Sequence, residues 1–107
     1  MGIKAFFKSL YDGLFNRSMH VNVHIRVKHF NQAVGFYNSI TCPLAVAARE
    51  HFKTTAIKVG IRTVTVDGVV WDIEDGYYYY NYDMDRNLAA VLDDENKIVR
   101  TIKLSLK

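Results

Sequence analysis

Hydrophobic positions fall into distinct periods along the chain. Ile3, Phe6, Phe7, Leu10 and Leu14 recur at helical spacing with Lys4 and Lys8 opposite, which predicts an amphipathic helix over 3–15. Asn16-Arg17-Ser18 reads as a connector. From His20 to Val27 the period drops to two: Val21, Val23, Ile25 and Val27 share one face, and His20, Asn22, His24 and Arg26 the other, as in a half-buried strand. Residues 28–37 carry a weaker helical spacing (Phe30, Val34, Tyr37) that Gly35 ends or loosens. The clearest helix follows. Pro43 suits a first helical turn, where its missing N–H costs nothing, and Thr41 or Cys42 falls at the N-cap. Leu44, Ala45, Ala47, Ala48 and Phe52 form its inner stripe, leaving Arg49, Glu50 and Lys53 for solvent.

The second half reads as sheet. Residues 54–66 are rich in β-branched side chains, and apolar parity switches between Ile57-Val59-Ile61 and Val64-Val66. Either a bulge near Gly60 or two short strands explains the switch. Asp67-Gly68 is a two-residue hairpin signal that sets Val66 opposite Val69 and Val64 opposite Trp71. A second turn at Asp75-Gly76 predicts Ile73 opposite Tyr78, Trp71 opposite Tyr80 and Val69 opposite Tyr82, with Tyr77 and Tyr79 outward near Val70. Asp83 or Asp85 caps a further helix with Met84, Leu88, Val91 and Leu92 as its stripe, and Ile98 to Leu106 alternate as a last strand. The expected fold is α+β, in one domain over 1–107. A mostly antiparallel sheet with a three-stranded meander is packed by the central helix and flanked by amino- and carboxy-terminal helices.

Charge is uneven along this pattern. Residues 1–60 carry eight basic and two acidic side chains, and residues 61–107 six basic and nine acidic. Such a split suits contact with an anion or head-to-tail pairing. No apolar run reaches the roughly 20 residues of a membrane span. Phe6 stands where a myristoylation pattern wants Ser or Thr. A lone cysteine and no secretory signal lead us to expect a cytoplasmic protein.

The run Cys42-Pro43-Leu44-Ala45-Val46-Ala47, followed by Val59-Gly60 and a helix–strand pair over 83–106, resembles short uncharacterised proteins of phages and prophages. The resemblance covers about 20–106 and has no reaction attached. It implies a phage accessory protein acting in the host cytoplasm.

Candidate chemistry is sparse. Cys42 at a helix N-terminus could be an activated thiol, alone or with His24 or His51, or a small core residue. His20 and His24 share a strand face but lie roughly 13 Å apart, too far for one metal ion. The carboxylates cluster at turns and caps, and no phosphate-binding glycine loop or nucleophile elbow is present. No reaction, cofactor or metal is expected. Two binding readings stand. Tyr77, Tyr79 and Val70 form the aromatic centre of a protein interface, engaging a host protein or a defence component, while the amino-terminal helix either completes the core or serves self-association. In the alternative, His24, Arg26 and Lys28 meet nucleic-acid phosphates.

Overall fold

A computed structural model describes residues 19–35, 38–76 and 81–107. The elements are β1 (His20–Arg26), α1 (Val27–Gln32), α2 (Pro43–Phe52), β2 (Ile57–Val59), β3 (Thr63–Val66), β4 (Val69–Ile73), α3 (Tyr82–Val91) and β5 (Ile98–Leu106). The strands form one antiparallel sheet in the order β1-β5-β4-β3-β2. The class is α+β, as the periodicities predict.

Helix α2 is the axis of the core. Cys42 is its N-cap and Pro43 its first residue, and Lys53 ends it in the left-handed conformation (φ 55°). Leu44, Ala45, Ala47 and Ala48 are buried, and the three alanines let the helix touch both sheet edges, β1 and β2. A sheet whose two edges reach one helix must curl around it, consistent with the strong twist of antiparallel strands. Val23, Ile25, Val64, Trp71, Ile102 and Leu104 line the inner face. Full burial of Leu44 contributes on the order of 2 kcal/mol. The ring of Phe52 packs on Trp71 with centroids 5.6 Å apart, closing the carboxy-terminal end of the helix on the sheet.

The Asp67-Gly68 hairpin forms as expected, with φ of 50° and 83° at the two turn residues and Val66↔Val69 and Val64↔Trp71 in register. Two positive φ angles are what a type I′ turn requires. Residues 57–66 make two strands rather than one bulged strand. The Gly60 N–H donates to the Thr63 carbonyl at 2.7 Å across the turn, and Ile61 sits outside.

Two expectations fail. The partner of β4 is β5, with Trp71↔Leu106 and Ile73↔Leu104, so the predicted pairing with Tyr78, Tyr80 and Tyr82 does not form. Tyr82 instead opens α3 and is buried, its ring centroid 6.0 Å from that of Phe30. The meander is built from β2, β3 and β4. A tyrosine at every position carries no period of two to fix a register, whereas Ile102, Leu104 and Leu106 alternate cleanly and match β4. The second failure is the face of α3. Tyr82, Asp85 and Ala89 point inward, and Met84, Leu88 and Val91 point out. Helix α1 is also shorter than its spacing suggests, ending at Gln32 before Gly35 (φ 85°). The expected helix over 3–15 lies outside the described residues.

Candidate functional site

Among the described residues, three places hold chemically able side chains. At the α1–α2 junction His29 is 1% exposed. Its Nδ1 accepts the Arg26 N–H at 2.8 Å, which satisfies an otherwise unpaired donor at the start of α1. That bond assigns the neutral tautomer with hydrogen on Nε2, which donates to Glu50 Oε2 at 3.1 Å. Lys28 Nζ lies 3.3 Å from the other oxygen, Glu50 Oε1. Burial holds His29 below the ordinary imidazole value against the pull of Glu50. The hydrogen bond from His29, with help from Lys28, holds Glu50 below the ordinary carboxylate value. Both ring nitrogens are engaged and the ring is covered, so this histidine ties α1 to α2 and has no free edge for a substrate proton. A shallow depression beside it is lined by Arg49, Glu50, Lys53, Thr54 and Thr55.

The second place is the outer face of the sheet. His24 and Arg26 lie there on β1, and Val70 on β4, half-buried opposite Thr65. His24 Nδ1 is 2.9 Å from Thr101 Oγ1, Arg26 Nη1 donates to the Asn96 carbonyl at 2.7 Å, and His20 Nδ1 sits 2.5 Å from Glu74 Oε2. The His20 contact holds Glu74 below the usual carboxylate value. Lys28 leaves this face altogether, because β1 ends at Arg26 and Lys28 belongs to α1. Of the basic residues expected to meet phosphate, His24 and Arg26 share this face and Lys28 does not, and each has a partner within the chain. Tyr77 and Tyr79 lie outside the described residues. Cys42 is fully buried at the start of α2, and so out of reach of a dissolved substrate. Among the described residues, no three His, Cys, Asp or Glu side chains are placed to hold a metal ion.

The third place escapes a reading of hydrophobic period. Asp85 of α3 has a side chain 3% exposed, and its two oxygens accept from Arg100 Nε at 2.6 Å and Nη2 at 3.0 Å. This bidentate pair pins α3 to β5 and raises the Arg100 pKa above its ordinary value. Because the carboxylate must face β5, the apolar residues on the far side must face out. Met84, Leu88 and Val91 are 59%, 44% and 74% exposed, spaced four and three residues apart on one helical face. Exposed Asp83, Asp93, Asp94 and Glu95 stand at its two ends. The only signal in the sequence was Asp85 itself, three residues after Tyr82 and four before Ala89, which makes a second inward stripe possible.

No protein-family model, curated protein or solved structure matches this chain.

Proposed function

We propose that this protein is a non-enzymatic binding protein that docks a basic amphipathic helix on the outer face of α3. The carrying observation is the row of Met84, Leu88 and Val91, three large apolar side chains left open at helical spacing. An apolar helical face with acidic ends fits a partner helix whose stripe is aliphatic or aromatic and whose flanks bear lysine or arginine. His29, the buried carboxylate and Cys42 serve the fold, which supports binding over catalysis. The resemblance carried by Cys42 to Ala47 supplies a phage accessory context, in which the partner is a host protein.

The test is a titration of a fluorescent 18-residue leucine/lysine amphipathic helix by anisotropy. Leu88→Asp removes the burial still open to this half-exposed leucine, roughly 1 kcal/mol, and sets a carboxylate under the partner, so binding weakens at least about fivefold. The folded stability falls by about 1 kcal/mol, because more than half of the Leu88 side chain is already covered, and the fold stays intact. Equal affinity for both proteins, or no Leu88-dependent binding in any form, refutes the proposal.

A further inference from the structure

We infer that two copies of this chain pair through the outer edge of β1, antiparallel and about a two-fold axis at Asn22, a surface other than the α3 face. Strands β1 and β2 end the sheet, and the chain treats its two edges differently. At β2 the Asp67 N–H bonds the Ala56 carbonyl and the Gly60 N–H bonds the Thr63 carbonyl, so positions 56, 58 and 60 face β3 and the backbone of Ile57 and Val59 faces outward. Both outward N–H groups are taken within the chain, Ile57 by the Thr55 carbonyl at 3.0 Å and Val59 by the Ser39 carbonyl at 2.8 Å. Exposed Lys58 further guards this three-residue strand. The β2 edge is closed.

The same reasoning leaves β1 open. The Leu106 N–H donates to the Met19 carbonyl at 2.9 Å, which makes Met19 and Leu106 a bonded pair and, by alternation, Val21↔Leu104 and Val23↔Ile102 as well. The backbone groups of His20, Asn22, His24 and Arg26 therefore point away from β5. The Arg26 N–H fixes the same phase, since it reaches His29 Nδ1 at 2.8 Å. His29 and the register shift between Ile25 and Arg26 close that end. Among the described residues nothing bonds the outward N–H groups of His20, Asn22 and His24, and this stretch holds no proline, lysine or bulge. These three positions are symmetric about Asn22. An antiparallel copy centred there sets His20 opposite His24, Asn22 opposite Asn22 and His24 opposite His20, each pair exchanging both backbone bonds. It also sets half-buried Val21 opposite Val23 on the inner face, an apolar β-branched pair. Moving the register by two residues either loses a pair or brings in the blocked Arg26 N–H. No lysine, arginine or acid enters the pairs, and the Asn22 amides can bond each other, so the edge suits a second copy rather than a charged partner strand.

The test combines sedimentation velocity with amide hydrogen exchange by NMR on the full chain, at low micromolar and at sub-millimolar concentration. The expected result is a monomer–dimer equilibrium in which the amides of His20, Asn22 and His24 slow on dimerisation. Those of Val21 and Val23, already bonded to β5, stay slow throughout. Asn22→Pro removes the central N–H from both copies and should weaken the dimer at least about tenfold. Its circular dichroism should match that of the native chain, because proline is tolerated where an edge N–H bonds nothing within the sheet. If the proline disturbs the strand, the exchange pattern of the native chain decides alone. Leu88→Asp should dimerise like the native chain, so this pairing and the α3 docking reading fail separately. A monomer at every concentration, or protection at 20, 22 and 24 that is independent of concentration, would overturn the inference. So would a dimer that leaves those three amides fast, or a folded Asn22→Pro dimer of native affinity.

Discussion

Replacing Asp85 by Ala should be the most damaging single change among the polar residues described. The carboxylate is almost wholly buried, and its two oxygens receive two charge-assisted hydrogen bonds from Arg100, whose side chain is 30% exposed. Breaking one partner of a fully buried pair costs about 3–5 kcal/mol, because it strands the other charge. Arg100 keeps some access to water and can turn its guanidinium outward, which places the loss at the lower end, about 3 kcal/mol. For a chain of this size that lowers Tm by roughly 12–15 °C. Urea melts followed by far-UV circular dichroism measure it, with Arg100→Met and the double variant completing a double-mutant cycle. The double variant should recover part of the loss, since it leaves no stranded charge. A loss below about 1 kcal/mol in Asp85→Ala with unchanged m-value would refute the claim that this pair fixes α3.

Acid should destabilise the fold in two successive windows. His29 has a folded pKa below 6.5, so the unfolded chain binds its proton first. The stability this histidine contributes is complete above pH 6.5 and falls as pH drops through 6.5 toward the folded value, by at most about 1.4 kcal/mol per unit. Glu50, held below 4.5, adds a second decline as pH falls through 4.5 toward its own folded value. His51, lowered by burial and then by the charge of His24, acts in the same sense as His29. Denaturation at pH 7.5, 5.5 and 4 should show this, and His29→Gln should flatten the upper window; an unchanged slope would remove His29 as its cause. At the hairpin, Gly68→Ala places a β-carbon at φ 83° and should cost about 1–2 kcal/mol in a melt, while an unchanged midpoint would contradict the turn assignment.

Local signals were the legible ones. Pro43 at the first turn, the alanine stripe behind it and Asp67-Gly68 each specify structure within a few residues, and α2 and the β3–β4 hairpin stand where they point. The placing of β5 between β1 and β4 is a contact between distant segments, and alternation alone leaves strand order open. The tyrosine-rich run offered a nearby partner for β4 that the cleaner alternation of β5 displaced. His29 and Asp85 were illegible for another reason. Each is polar, so period reading assigns it to the surface, and each is buried because of a partner, Glu50 or Arg100, 21 or 15 residues away. Of the candidate site residues, Val70, His24 and Arg26 lie on the sheet face assigned to them, and Lys28 does not.

The same buried polar contacts that hid the site also create it. The mean direction of Tyr82, Asp85 and Ala89 differs from that of Met84, Leu88 and Val91 by roughly 120° around the helix. Turning α3 by that amount would bury the exposed parts of three large apolar side chains, worth about 1–2 kcal/mol each. It would also expose Tyr82, and it would tear Asp85 from Arg100 at about 3–5 kcal/mol. The two orientations are therefore close in burial energy, and the ion pair, with the packing of Tyr82 on Phe30, decides between them. Holding the charge inside leaves the apolar row outside, and that row is what the proposed partner helix would cover.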